Sequence, residues 1–137
     1  MIYVYDRNVE DFSALENNYP IYRGVSILGN PYTHLPVKDT KAMFQCKTRE
    51  EAIEKYDKYF DIMYGNNIEF TKIIDEMYEK YKNGEDLFLE CYCKKYSCFE
   101  FHYDETICHG DVIKKKLQNM LIKEKYNGYK KNSKRIY

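Results

Sequence analysis

The sequence lacks long apolar runs, a net charge of either sign, and any cysteine pair at the C-x₂-C spacing of a zinc knuckle. A membrane-spanning helix needs about 20 consecutive apolar residues, so neither a membrane span nor a membrane partner is predicted. The opening residues, MIYVYDRN, have neither the charged start nor the apolar stretch of a secretory signal, and we therefore expect a cytoplasmic protein. The odd number of cysteines, five, argues against a disulfide framework.

The charges cancel overall but are unevenly distributed along the chain. Residues 1–111 carry 13 Lys and Arg against 21 Asp and Glu, whereas residues 112–137 carry 9 against 1. An acidic body is a poor surface for the phosphates of DNA or RNA, so nucleic acid is not expected as the main partner. We interpret the basic end as a solvated helix face followed by a flexible basic tail, residues 128–137.

Composition and periodicity predict a single domain over residues 1–127. Apolar residues make up 44% of the chain and aromatic residues 17%, which is enough for a core and unlike a disordered chain. Thr48 with Glu51 three positions later forms a capping box at the start of one helix, which Gly65 closes. The pattern predicts strands at 2–5 and 86–93, and helices at 9–18, after 48, at 67–83 and at 111–125.

These elements favour the α/β (or α+β) class: one small domain with a short sheet flanked by about four helices. The stretch KKYSCFEFHYDETI, residues 94–107, alternates polar and aromatic residues. It therefore predicts a β-excursion before the last helix.

The stretch TICHGDVIKKKLQNML places Cys108, His109, Gly110 and Asp111 at the start of the last helix. The first N–H groups of a helix have no partner within it, and the positive end of the helix dipole attracts phosphate or carboxylate. Gly110 would allow close approach of an anion, and His109 could donate to it. Asp111 either contacts a ligand or caps the helix. We interpret the cluster as half of an anion pocket.

A second candidate cluster is YRGVSILGNPY, residues 22–32. Arg23 could pair with a phosphate or carboxylate through two hydrogen bonds. The turn formed by Gly29, Asn30 and Pro31 supplies unusual backbone angles, although Gly-Asn-Pro is also a common structural turn.

Two other chemistries remain open for the cysteines. Thiolate and imidazole suit zinc, but the spacing is poor and buried cysteines often serve packing alone, so no cofactor is favoured. Alternatively, Cys108 at the helix start could act as a nucleophile with His109 or His102 as its base. The candidate zinc ligands are Cys91, Cys93, Cys98, Cys108 and His102.

Taken together, the two clusters resemble the family called domain of unknown function 4326, found in bacteria and bacteriophages. The resemblance rests on Arg23 with Gly29-Asn30-Pro31, on the C-x-C strand of Cys91 and Cys93, and on the run from Cys108 to Asp111. It implies a shared small α/β fold and a shared site, without implying a reaction. In this chain the link between the C-x-C strand and the Cys-His pair is longer than is usual in the family.

Paired in this way, the motifs favour binding of a phosphorylated, nucleotide-type small molecule between the Arg/Gly-Asn-Pro loop and the Cys-His-Gly-Asp helix start. Tyr22, Tyr32 and Tyr92 are candidates to stack on a base. Non-catalytic binding is preferred over catalysis. One version is a bacteriophage protein that sequesters a host nucleotide signal in the host cytoplasm and so blocks a defence.

Three alternatives accompany this hypothesis. The first is a nucleotide- or nucleoside-processing enzyme that uses His109 as acid or base, or Cys108 as nucleophile. The second is a zinc-stabilised interaction module. Third, the pocket could be shared between the chains of a homo-oligomer.

Overall fold

Three parallel strands form the sheet at the centre of the protein. A computed structural model describes residues 1–22, 26–34, 44–100 and 108–135, with side chains as far as residue 128. The central sheet has the order β1–β5–β2, and a second, two-stranded parallel sheet pairs β3 with β4. In chain order the elements are β1 (Ile2–Asp6), β2 (Asn18–Pro20), β3 (Tyr32–Thr33), β4 (Phe44–Gln45), α1 (Arg49–Met63), α2 (Ile68–Lys82), β5 (Leu87–Cys91) and α3 (His109–Arg135).

Strand β5 lies between its two neighbours and pairs with both. The register aligns Ile2 with Leu87 and Val4 with Leu89, which places apolar residues of β1 and β5 side by side. Pro20 ends β2, where its missing N–H is tolerated because β2 is an edge strand.

One face of the central sheet packs against the helices. Side chains alternate across a strand, so every second residue of β1 and β5 points towards this face. The buried core joins these residues to apolar positions of α1, α2 and α3 that recur at helical spacing. Its members include Ile2, Val4, Leu87, Leu89, Ile53, Phe70, Ile74, Met77, Ile113 and Leu117.

The opposite face of the sheet carries aromatic side chains that are covered by segments without helix. The rings of Tyr3 and Phe88 stack at a centroid distance of 5.2 Å. Phe12, from the connection between β1 and β2, lies 4.9 Å from Phe88, and Phe99 lies 5.5 Å from Tyr3. Short aromatic segments therefore take the place of a second helix layer.

Helices α1 and α2 begin and end as their sequences predict. The Thr48 side chain accepts the backbone N–H of Glu51 at 3.1 Å, which caps α1, and Asn67 caps α2 in the same way. Gly65 and Gly84 follow the two helices with φ of +90° and +87°, angles that glycine adopts without strain. The predicted helix pair is therefore confirmed.

The prediction of one small α/β domain with a short sheet is confirmed, but the predicted helix at 9–18 is wrong. These residues form turns and then enter β2. Asp11 accepts the backbone N–H of Ser13 at 2.8 Å, a local bond that competes with helix formation, while Phe12 packs against aromatic rings of the sheet. Within the described ranges there are consequently three helices rather than about four.

The last helix is longer than predicted. It begins at His109 and its backbone remains helical to Arg135, through the residues assigned to a flexible tail. The predicted β-excursion is not found over residues 94–100, which form turns and bends, and residues 101–107 lie outside the described part. None of the described helices combines the length and apolar character that crossing a membrane requires.

The cap of α1 gives a direct test of the fold. Replacing Thr48 by Ala removes the side-chain acceptor for the Glu51 N–H and should lower the free energy of unfolding by about 1 kcal/mol. Thr48→Ser keeps the oxygen and serves as the control. Urea denaturation measures both; equal stability of the Ala and Ser variants would show that the cap contributes nothing.

Candidate functional site

The carboxyl ends of β1, β2 and β5 lie at one edge of the central sheet because these strands are parallel. Helix α3 also begins at this edge. Gly110, in its first turn, packs so closely against the sheet that an added methyl group would come within 2.7 Å of Val4 Cγ1 and 2.8 Å of Ile21 Cδ1. Ligands of parallel sheets bind outside the carboxyl ends of the strands, and a helix start attracts anions. We call this region, residues 6–7, 21–22, 91–94 and 108–111, the carboxyl edge.

Parts of the two sequence clusters are linked within one chain by Tyr56. His109 is buried, and its Nε2 donates to the carbonyl oxygen of Ile21 at 2.5 Å. Tyr56 of α1 connects the same parts of the chain, because its ring packs edge-on against His109 at 5.1 Å while its hydroxyl donates to the Leu28 carbonyl at 2.6 Å. The stretch that precedes Gly29 and the start of α3 are therefore fixed to each other.

In the first motif, Gly29, Asn30 and Pro31 are buried and serve the backbone structure. A methyl group at Gly29 would lie 2.0 Å from the Tyr22 carbonyl oxygen, so only glycine fits this approach. The Asn30 side chain donates to the Ala52 carbonyl at 3.1 Å and accepts the Tyr32 N–H at 2.9 Å. Arg23 lies outside the described residues, and its role stays a prediction.

Asp111 caps the start of α3 and forms a largely buried ion pair. Its Oδ2 accepts the backbone N–H of Cys108 at 3.1 Å, and its Oδ1 lies 2.6 Å from Lys94 Nζ. Burial lowers the pKa of Lys94, but the Asp111 carboxylate and neighbouring groups together raise it above its ordinary value, so the ammonium form is retained. No local sequence pattern predicts this role for Lys94, because Lys94 and Asp111 are 17 residues apart in the chain.

Three of the five cysteines form a cluster at the carboxyl edge. The sulfur atoms of Cys91, Cys93 and Cys108 all lie within 4.8 Å of one another, so the cluster could hold a metal ion. Cys91 and Cys108 are buried and Cys93 is half-buried. Of the other candidate ligands, Cys98 is outside this cluster and contacts Glu10, and His102 lies outside the described residues.

The cysteine cluster favours neutral thiols when no metal is bound. Contacts with the thiols of Cys91 and Cys93, together with burial, raise the pKa of Cys108 well above its ordinary value. For Cys91, the contact with Cys108 lowers the pKa, but the contact with Cys93 and burial raise it to about 12. A buried thiol of high pKa is a poor nucleophile.

Two of the three tyrosines proposed to stack on a base lie together at the carboxyl edge. The rings of Tyr22 and Tyr92 stack with centroids 5.1 Å apart and an interplanar angle of 24°. Tyr92 is 51% exposed, so one aromatic surface faces solvent. Tyr32 lies in the second sheet against Phe44.

Comparison with known proteins gives one match. The model of a family described as a domain of unknown function (DUF4326) matches residues 6–119. No curated protein and no solved structure matches the chain.

The close packing at Gly110 can be tested by adding one methyl group. Gly110→Ala should lower the free energy of unfolding by about 1–3 kcal/mol, because the new methyl must displace Val4 and Ile21. The matched control is Gly128→Ala, also in α3, where the added methyl meets no atom within 4 Å and no loss of stability is expected. Thermal unfolding measures the stability of both variants. Equal stability of the two would contradict the close packing at Gly110.

Proposed function

This chain belongs to the DUF4326 family, and we propose that it binds a phosphorylated, nucleotide-type small molecule at the carboxyl edge. The observation that carries the proposal is the link through Tyr56 between Leu28 in the first cluster and His109 in the second, at the edge where Tyr22 stacks on Tyr92. Parallel sheets place ligands at this edge, and a planar base can stack on an exposed aromatic ring.

The phosphate part of the ligand is assigned to Arg23 and to the dipole of α3. Arg23 directly follows Tyr22 in the chain, and a guanidinium suits the oxygens of a phosphate. The backbone N–H groups of Gly110 and Asp111 are already used, since they donate to the sulfur and the carbonyl oxygen of Cys108. The helix start therefore contributes mainly its field, while Arg23 supplies the direct contact.

Non-catalytic capture remains the preferred form of this function. The candidate acid or base His109 and the candidate nucleophile Cys108 are both buried, with exposures of 1% and 0%. A binding protein that holds its ligand intact suits a bacteriophage protein that removes a host nucleotide signal in the host cytoplasm. Recovery of a cleaved ligand would instead favour the enzyme alternative.

A zinc-stabilised interaction module is the second candidate function. The cluster of Cys91, Cys93 and Cys108 is the observation that favours it. In that case the lysines at 114–116 and the basic residues of 123–135 would contact nucleic acid, and salt-insensitive behaviour on nucleic acid would remove the role of the tail.

Ligand binding predicts a higher melting temperature with the correct compound. A ligand that binds only the folded protein stabilises it by about 2.7 kcal/mol at a concentration 100 times its Kd. Thermal shifts with ATP, a cyclic dinucleotide and ADP-ribose provide the first test, followed by mass spectrometry of the recovered compound. The absence of any shift at millimolar concentrations of all three would contradict the proposal for these ligands.

Tyr92→Ala should weaken binding of the compound that gives the shift. Loss of base stacking costs about 1–3 kcal/mol, roughly 5- to 150-fold in Kd. Tyr126→Ala is the matched control: Tyr126 is 57% exposed and lies in α3, about 25 Å along the helix from His109. Isothermal titration calorimetry compares the variants, and equal loss in both would remove Tyr92 from the site.

Arg23→Ala should weaken binding of the same compound. It should leave the affinity for the dephosphorylated nucleoside unchanged. A charge-assisted hydrogen bond contributes about 1.5–3 kcal/mol, so a loss of roughly 10- to 150-fold is expected for the phosphorylated form. Arg135→Ala removes the same charge at the far end of α3, about 39 Å along the helix from His109. Undiminished affinity of Arg23→Ala would exclude the first motif from phosphate binding.

A further inference from the structure

The cysteine cluster joins two segments that are distant in the chain. Cys91 ends β5, Cys93 follows two residues later, and Cys108 directly precedes α3. We propose that Cys91, Cys93 and Cys108 bind one thiophilic divalent metal ion, Zn²⁺ being the most suitable, and that this ion fastens the start of α3 to the end of β5. The proposal is independent of nucleotide binding, and it deepens the second candidate function, which rests on the same cysteine cluster.

The sulfur positions are close to those that zinc requires. In a tetrahedral site a Zn–S bond of about 2.3 Å places two sulfurs about 3.8 Å apart. The three sulfur atoms all lie within 4.8 Å of one another, so each separation needs to shorten by no more than about 1 Å. Small rotations of the side chains can supply this. Zinc takes four donors in such sites, which leaves one position for water or another group.

The surroundings of the cluster stabilise thiolates once a metal binds. The backbone N–H of Gly110 donates to the Cys108 sulfur at 3.2 Å, in the first turn of a helix whose dipole favours negative charge. The Lys94 ammonium also interacts electrostatically with Cys108. Such outer contacts are typical of metal–thiolate sites, where they orient the ligands and offset their charge.

Metal uptake at this site exchanges protons for the ion. Each of the three thiols loses its proton when its sulfur coordinates, so one Zn²⁺ enters and three protons leave. No oxidant or reductant takes part. The half-buried Cys93 offers the route by which an ion can reach Cys91 and Cys108.

Packing of small apolar side chains is the alternative explanation for buried cysteines. It accounts for Cys46, which is buried and lies outside the cluster. It does not require three sulfurs from two separate segments to converge. Cys98 provides an internal comparison, because it is half-buried like Cys93 but contacts Glu10 instead of other thiols.

The first experiment measures metal binding by the full chain. Protein purified without chelator is analysed by mass spectrometry for metals, and chelator-treated protein is titrated with Co²⁺. We expect about one zinc per chain, or a sulfur-to-cobalt charge-transfer band that Zn²⁺ removes. Absence of both the bound zinc and the band would overturn the proposal.

The second experiment assigns the ligands. Cys93→Ser should lose the bound zinc and weaken the cobalt band, whereas Cys98→Ser should keep both. Alkylation of the unaltered protein requires no variant to fold: chelator should raise the labelling rate of Cys93 by about tenfold or more and leave Cys98 unchanged. Full metal binding by Cys93→Ser, or equal protection of the two cysteines, would overturn the assignment.

Discussion

The parallel pairing of β5 with both β1 and β2 is the constraint on which the rest of the structure depends. It aligns residues 2–6 with residues 87–91, more than half the chain away. Because all three strands run in one direction, their carboxyl ends coincide, and Ile21, Tyr92 and the start of α3 become neighbours. Both candidate sites lie at this edge, and neither would exist without that pairing.

Buried polar contacts then fix how α3 lies against the sheet. His109 donates to the Ile21 carbonyl, and Asp111 binds Lys94. A buried ion pair or imidazole contributes little net stability, but removing one partner leaves an uncompensated polar group. These residues therefore specify a position for the helix start as much as they stabilise it. His109 and Asp111, whose residue types suggest reactivity in the sequence, therefore hold the helix start in place.

A comparable arrangement occurs on the other face of the sheet. The Glu90 side chain is 3% exposed, accepts the Tyr5 hydroxyl at 2.9 Å and pairs with Arg7 at 3.1 Å. Burial, followed by the bond to Glu90, raises the pKa of Tyr5, which keeps the hydroxyl protonated as a donor. Polar groups thus hold β1 and β5 together on the face that no helix of the described residues covers. The proposed ligand and metal sites both lie at the carboxyl edge instead.

The elements with local signals can be predicted from the amino-acid order alone. The capping box at Thr48, the glycine after α1 and the strand β5 each depend on neighbours within a few positions, and each was predicted correctly. The family was also visible in the sequence as a resemblance, which the match over residues 6–119 confirms.

Contacts between side chains that are distant in the chain depend on how the strands and helices pack. Local propensity favoured a helix at 9–18, but packing of Phe12 against the sheet and pairing of β2 with β5 prevailed. The poor local spacing of the cysteines argued against a metal, yet parallel pairing and the docking of α3 bring Cys108 to Cys91 and Cys93. The docking of α3 likewise brings Asp111 into an ion pair with Lys94. Distances across a fold are set by strand pairing and burial, which local spacing in a sequence does not encode.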